Sequence, residues 1–253
     1  MAAVSQSSGV RLAVVVMSTL TLTSARASAQ APAPPAGPWT GSAGAGLAFT
    51  SGNTDTSSIN VGYDLTYDPK TRNVVKSDAL YLRAETNDDL TVSRFGLNAR
   101  DQYQLTSRSF AYGQLQYLHD KFKDIDYLVA PTGGLGYKLV DAAATTLTVD
   151  GGLGGVWEKN TGFDAQHTGA VTASEHFVQK LSDTASVSQQ VIGLWKTADF
   201  GDALYTFGTT LAANLTAKSQ VKLDLLDTYK AKPPTAATKS NDIALVFSIG
   251  YKL

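Results

Sequence analysis

The sequence ends in the stretch DIALVFSIGYKL, from Asp242 to Leu253. Its apolar residues share one parity, and the other parity is mostly polar or small. This alternation predicts a β-strand with one face in an apolar medium and the other face in water. A strand at this place also needs a partner for its free edge. We therefore expect it to pair with the segment near Gly41–Ser51 and so to close a barrel.

The same alternation recurs along almost the whole chain, in about twelve segments. Most are near the roughly 9–11 residues that a tilted strand needs to cross a bilayer. No helical crossovers lie between them, so neighbouring strands are expected to form antiparallel hairpins. The fold class predicted is all-β, a transmembrane up-and-down antiparallel barrel. The predicted segments are roughly Gly41–Ser51, Thr56–Tyr67, Val74–Glu85, Val92–Leu105, Ser109–Asp120, Tyr127–Leu139, Thr146–Trp157, His167–Leu181, Thr184–Trp195, Leu204–Leu215, Ser219–Tyr229 and Asp242–Leu253.

The first residues predict a secretory signal peptide over residues 1–29. Arg11 precedes an apolar stretch, and the small residues Ala27, Ser28 and Ala29 follow it as a cleavage site. A tail that is apolar and disordered is the alternative. The proline-rich residues 30–38 predict an extended linker, and residues 39–253 form the predicted barrel domain. We expect export to the periplasm and insertion into the outer membrane of a Gram-negative cell.

Composition excludes several classes of protein. Lys and Arg number 21 against 22 Asp and Glu, so no basic footprint for nucleic acid is present. The chain has no cysteine, which excludes a disulfide framework and a thiolate metal site. Charged residues make up 17%, below the roughly 25% of soluble domains. A soluble periplasmic β-barrel or sandwich that binds a ligand remains an alternative, although its exterior would need more charge.

The connections between segments differ in predicted length. Those after even-numbered strands are short, and most of those after odd-numbered strands are longer, such as Glu158–Gln166, Lys196–Ala203 and Lys230–Asn241. Outer-membrane barrels combine short periplasmic turns with longer outside loops. The first connection, Gly52–Asp55, is the exception, because it predicts a tight outside turn.

Aromatic residues cluster at both ends of the predicted strands, as in barrels with an aromatic girdle at each membrane interface. Tyr127 and Tyr205 begin even-numbered strands, at the level of the predicted outer girdle. The predicted periplasmic girdle is Trp39, Tyr67, Tyr103, Tyr137 and Tyr251. The predicted outer girdle is Tyr117, Trp157, Trp195 and Tyr229.

Polar residues on the other parity are predicted to face the lumen. Mixed charges there can pair across strands, which is our default interpretation, or they can line a narrow conducting path. The predicted lumen-facing residues are Asp64, Arg83, Glu85, Arg94, Arg100, Gln102, Gln114, Gln116, Lys138, Asp150, Lys222 and Asp224.

Two adjacent pairs, His119–Asp120 and Glu175–His176, invite a catalytic reading. Adjacent strand residues point to opposite faces, so neither pair can work by contact within its strand. No Gly-x-Ser-x-Gly motif is present, and three histidines are few for a metal site. We expect no enzyme, no cofactor and no metal, with an outer-membrane hydrolase as the alternative. The expected partners are outer-membrane lipid, lipopolysaccharide and the outer-membrane insertion machinery.

Three segments carry a family resemblance. The runs Arg100–Leu139 and GGLGGVWEK, with the opening Trp39–Thr56, resemble the salt-induced outer-membrane proteins. These are Gram-negative barrels of unestablished function. The resemblance implies an outer-membrane barrel linked to salt or osmotic adaptation, and it brings no catalytic residues. Such barrels commonly end in Phe, so Leu253 departs from the pattern. We still expect insertion, because the position is apolar.

Overall fold

A computed structural model describes residues 37–50, 56–236 and 238–253. The predicted signal peptide, the linker up to residue 36 and the Gly52–Asp55 turn lie outside the described residues. The described chain contains twelve β-strands and one short 3-10 helix, Lys121–Lys123. The strands are β1 Trp39–Thr50, β2 Thr56–Tyr67, β3 Asn73–Thr86, β4 Asp89–Gln104, β5 Ser109–Asp120, β6 Ile125–Asp141, β7 Thr145–Asn160, β8 Gln166–Lys180, β9 Ala185–Lys196, β10 Asp199–Asn214, β11 Ser219–Lys230 and β12 Asn241–Lys252.

The strands form one closed antiparallel barrel in sequence order. Strand β12 pairs with β1 through a register that runs from Ser42↔Lys252 to Ala45↔Ile249. The predicted fold class and the closure by the last strand are thereby confirmed. Closure pairs the edges of β1 and β12 over these four residue pairs. Among the described residues, no helix has both the length and the apolar character needed to cross a membrane.

The apolar parity of β12 faces outward. Leu245 is 69% exposed and Phe247 57%, whereas the neighbouring Val246 faces the interior and is only 6% exposed. The apolar medium that the alternation requires therefore lies outside the barrel. The interior is the face that carries the polar side chains.

Aromatic rings lie at two levels of the outer face. At one end the rings of Trp39 and Tyr67 lie 4.7 Å apart. At the other end Trp195 contacts Tyr205 at 5.7 Å, and its Nε1–H donates a hydrogen bond of 3.0 Å to the Tyr205 hydroxyl. Tyr205 continues to Tyr229 at 6.1 Å. Neighbouring strands thus place their rings at two levels, as amphipathic rings at two interfaces would lie. All nine predicted girdle residues lie on the outward parity of their strands.

We call the end that holds Trp39 and the β2–β3 connection the turn end, and the opposite end the loop end. The predicted difference in connection length between the ends is wrong for most hairpins. The β9–β10 connection is only residues 197–198, because β10 begins at Asp199 and not near Leu204. Strand pairing continues beyond the residues that alternate between apolar and polar. The end of the alternation in the sequence is therefore not the end of the strand. Among the described connections, only residues 231–240 form a long loop.

The turn-end connection after β2 shows how such a hairpin is fixed. Lys70 has a left-handed backbone, with φ of 61°. Its backbone N–H and its ammonium group donate hydrogen bonds of 2.9 and 2.8 Å to the Asp68 carboxylate. These donors lower the pKa of Asp68 below its ordinary value, with the ammonium bond as the largest cause.

Candidate functional site: the barrel lumen

The structure places most of the predicted lumen residues on the inward face. Their cross-strand partners on that face line the interior cavities or are buried within the barrel. The inward residues are Asp64, Arg94, Arg100, Gln102, Gln114, Gln116, Lys138, Asp150, Lys222 and Asp224.

Arg83 and Glu85 lie on the outward face, which corrects their predicted position in the lumen. Arg83 stands opposite Ile59 in the register, and its Nη2 donates a 2.5 Å hydrogen bond to the Glu85 Oε1. The residue next to Arg83 in β3 that faces inward is Leu82, which is 6% exposed. At the loop end of β3 the interior is apolar. The apolar residues of β3 therefore face inward there, and the charged residues face outward. Both charges lie close to the end of the strand, where an interface can hydrate them.

An apolar cluster fills the lumen below the loop end of strands β5 to β10. Every member is less than 7% exposed. Sequence reasoning missed this cluster, because its residues share a parity with the polar lumen residues. The sequence does contain a signal for it. Segments such as Tyr127–Ala130 are apolar on both parities, which indicates a strand with apolar surroundings on both faces. The members are Leu118, Ile125, Leu128, Ala130, Val156, Ala170, Leu194 and Leu204.

A buried ionic network lies beside the apolar cluster. Glu158 on β7 forms ion pairs with Lys230 on β11 and with Lys196 on β9. The side chains of Glu158 and Lys230 are each 4% exposed. Lys230 also donates a 2.9 Å hydrogen bond to Asn160, and Lys196 pairs with Asp202 at 2.6 Å. Three strands lie between β7 and β11 in the barrel, so the Lys230–Glu158 pair crosses the lumen.

A second contact crosses the lumen from β4 to β11. The Nη1 of Arg94 donates a 2.6 Å hydrogen bond to the Thr228 hydroxyl, and Thr228 is fully buried. Arg94 also lies 3.9 Å from the carboxylate of Asp120. Both walls of the barrel are therefore joined at this level.

The 3-10 helix lies over the loop end and is tied to the long connection. Asp120 caps it by accepting hydrogen bonds from the backbone N–H groups of Phe122 and Lys123, at 3.1 and 3.3 Å. The ammonium group of Lys123 donates to the carbonyls of Lys239 and Ser240 at 3.0 and 2.8 Å. Lys123 is fully buried. Its ammonium group links the β5–β6 turn to the 231–240 loop across the mouth.

The turn-end half of the lumen contains a cavity of about 780 Å³, which we call the chamber. It extends from Ser182 and Lys252 at the turn-end rim to Leu226 and Val246 near the middle of the barrel. Polar pairs line its wall. Lys222 pairs with Asp64 across the chamber, and Ser42 donates a 2.6 Å hydrogen bond to the same carboxylate. The chamber thus has a mixed wall, with polar pairs among apolar and small residues, and its rim lies at the turn end.

Arg100 is held rigidly in the wall next to the chamber. Its Nη2 donates to Asp150 at 2.8 Å and its Nη1 to Gln114 at 2.9 Å. The guanidinium lies 3.7 Å from the centre of the Tyr112 ring, which is cation–π geometry. Tyr112 in turn lies against Gly152, where an added Cβ would come 2.4 Å from the Tyr112 hydroxyl. The glycine-rich segment of β7 therefore makes room for the ring that supports Arg100.

The histidine pairs are divided between the two faces of the sheet. Asp120 faces inward, whereas His119 faces outward and its Nδ1 lies 2.8 Å from the Asp126 carbonyl oxygen. His176 faces inward, near Ser174 and Asp150. Its Nε2 is the nitrogen that lies 3.3 Å from the serine hydroxyl and also 3.8 Å from the carboxylate. A relay needs the two ring nitrogens to serve the two partners separately, so these three residues do not form one. Among the described residues, no group of three or more acidic or histidine side chains could hold a metal ion.

A closed twelve-stranded antiparallel barrel with an apolar outer face is the architecture of outer-membrane barrels. The fold resembles that of a solved NanC porin, with a TM-score of 0.51 and 8% identity over 85% of this chain and 100% of that chain. It also matches the COG4313 outer membrane channel from Pseudomonas putida F1, with a TM-score of 0.46 and 13% identity over 85% of this chain and 92% of that chain.

The chain belongs to the family described as "Protein of unknown function, DUF481", whose model matches residues 43–253. A relative in Escherichia coli (strain K12), the uncharacterized protein YdiY, is 24% identical over 219 residues. The match covers 85% of this chain and 84% of that protein. The family resemblance inferred from the sequence is confirmed.

Proposed function

We propose that the protein is an outer-membrane structural barrel whose lumen is closed in its resting form. In this proposal the loop end faces the cell exterior and the chamber opens to the periplasm. The outward apolar face and the two levels of aromatic rings support a membrane location. The long β11–β12 connection lies at the loop end and supports this orientation.

The observation that carries the proposal is the pair of contacts that cross the lumen. Lys230–Glu158 and Arg94–Thr228 join opposite walls at the loop end. The apolar cluster lies beside them and excludes water. A passing ion would have to break a buried ion pair or enter apolar surroundings, both of which cost several kcal/mol.

A small passive pore is the second candidate, and the chamber favours it. Polar side chains line part of the chamber, and its volume of about 780 Å³ would hold many water molecules. The fold is also shared with a NanC porin. For this function the loop-end contacts would have to open.

Single-channel conductance in planar bilayers separates the two candidates. We expect the refolded wild-type protein to insert and to give no steady conductance, because the loop end is closed. Steady ohmic steps from the wild type would overturn the closed barrel and favour the pore. Insertion is verified independently by heat-modifiable migration on gels.

A matched pair of variants identifies the path if steps are seen. Arg100→Gln removes a lumen charge, whereas Arg83→Gln removes a charge from the outward face. A pore through the lumen would change its step size with the first variant and keep it with the second.

The proposal includes no catalytic step. It requires outer-membrane lipid, lipopolysaccharide and the insertion machinery as partners. A role in salt or osmotic adaptation is supported by the family resemblance alone.

A further inference from the structure

A second cavity, of about 190 Å³, opens from the wall of the chamber. It lies between strands β3, β4, β5, β6, β7, β8 and β9, and its walls include Lys76, Arg100 and Lys138. Asp78 and Gln190 line both this cavity and the chamber, so the two spaces adjoin. Lys76 and Lys138 lie near the turn-end limits of β3 and β6, so the cavity lies toward the turn end. We call it the cationic cavity.

Of the three cations in the wall of the cationic cavity, Lys76 is the one without an ion pair among the described residues, since Arg100 pairs with Asp150 at 2.8 Å and Lys138 pairs with Asp141 at 3.4 Å. Lys76 stands directly opposite Arg100 in the β3–β4 register, with both side chains inward. Like charges at directly opposed positions destabilise a sheet. Within the described part of the chain, Lys76 makes no hydrogen bond or ion pair of its own. The carboxylate in the wall, Asp78, accepts from Asn98 at 2.9 Å, and the nearby Asp150 accepts from Arg100 at 2.8 Å.

Arg100 also leaves one donor unused. Arg100 is only 8% exposed, and its buried Nε has no hydrogen-bond partner among the described residues. A buried unpaired donor on a charged group is costly, and such a group in a native structure calls for an acceptor. Stacking on Tyr112 and the bonds to Asp150 and Gln114 fix the guanidinium, so an acceptor there meets a preorganised group.

We propose that the cationic cavity binds a small oxyanion of the phosphate class, which reaches it from the periplasm through the chamber. The anion relieves the repulsion between Lys76 and Arg100 and accepts from the unused donor. Lys138, on the adjoining wall and paired with Asp141 at 3.4 Å, supplies a third positive charge. Both side chains bind phosphate oxygens well. The guanidinium of arginine presents several donors in a fixed geometry, and the ammonium group of lysine is a compact positive charge. Binding does not require the loop end to open, so it stands or falls separately from the conductance result.

Calorimetric titration of the refolded full-length protein in detergent micelles tests the proposal, with inorganic phosphate as the probe and ionic strength held constant. We expect saturable binding to the wild type. Lys76→Gln should weaken it by roughly tenfold or more, since a charge-assisted hydrogen bond is lost. The matched control is Lys222→Gln, which removes a lysine from the chamber wall where it pairs with Asp64. Its phosphate affinity should equal that of the wild type.

Thermal unfolding of the same proteins gives a second readout. Phosphate should raise the unfolding temperature of the wild type and leave that of Lys76→Gln unchanged. Without phosphate, Lys76→Gln should be at least as stable as the wild type, because one of the two opposed positive charges is removed. Absence of saturable phosphate binding by the wild type would overturn the proposal. Equal weakening by Lys76→Gln and Lys222→Gln would also overturn it, since it would indicate general attraction to positive charge.

Discussion

Glu158→Gln is expected to lower the free energy of unfolding of the refolded barrel by about 3–5 kcal/mol, the usual cost of removing one partner of a buried ion pair. Glu158 is the only carboxylate that pairs with Lys230 among the described residues. Lys230 is 4% exposed, so its charge would remain buried with only neutral oxygens beside it, those of Asn160 and of the new amide. Lys196 would keep its pair with Asp202.

Equilibrium urea unfolding in lipid vesicles or detergent measures this loss. The matched control is Asp64→Asn, which breaks a pair in the open chamber, where the side chain of Asp64 is 51% exposed. That variant should lose less than about 1 kcal/mol. A further variant, Glu158→Leu with Lys230→Met, should recover much of the loss, because an apolar pair can replace a buried ion pair. Equal, small losses for Glu158→Gln and Asp64→Asn would show that the loop end is hydrated and not packed.

Leu245→Arg is expected to lower the free energy of unfolding in a bilayer by about 2–4 kcal/mol, the cost of an arginine on the lipid face near the midplane. Leu245 is 69% exposed, lies in the middle of β12 and is paired with Leu225 on the same outward face. The new charge would have to stay in hydrocarbon or distort the bilayer to reach water.

The comparison is with Ser188→Arg, which places the same side chain in the chamber wall. That variant should change the free energy of unfolding by less than about 1 kcal/mol, because the side chain reaches water. Refolding yield and urea unfolding in vesicles give both values. A larger loss for Ser188→Arg than for Leu245→Arg would mean that the two faces have been assigned the wrong way round.

The fold could be predicted because two solvents act on opposite faces of each strand. In β12 the outward residues are apolar and the inward ones mostly polar or small, so the sequence alternates with the strand period. This holds wherever one side meets lipid and the other meets a polar interior. Both limits of β2 and β5 were predicted without error for the same reason.

The loop end could not be predicted in this way, because its interior is also apolar. Leu82 and Leu128 point inward there, and Arg83 points outward. Polarity then no longer distinguishes the two faces, so the alternation is lost or inverted. The predicted lumen position of Arg83 and Glu85 was wrong for this reason.

The contacts across the lumen also could not be predicted from the sequence. Glu158 and Lys230 are separated by 72 positions, and no local pattern indicates which charges of β7 and β11 meet. The cationic cavity was found in part, since Arg100 and Lys138 were predicted to face the lumen. Lys76 was missed, because β3 carries polar and apolar residues on both parities. The register opposite Arg100 is what identifies it.

The most direct test of the closed loop end uses the absence of cysteine from the chain. Single cysteines at Asp164, Ser248 and Ser182 place a thiol in the loop-end β7–β8 turn, in the chamber wall and in the turn-end β8–β9 turn. Intact cells are treated with a small charged thiol reagent, and the modification rate of each cysteine is measured. With the loop end closed, Asp164→Cys should react at once and Ser248→Cys should react no faster than Ser182→Cys, because the reagent must first reach the periplasm. Modification of Ser248→Cys as fast as Asp164→Cys would show that the loop end is open.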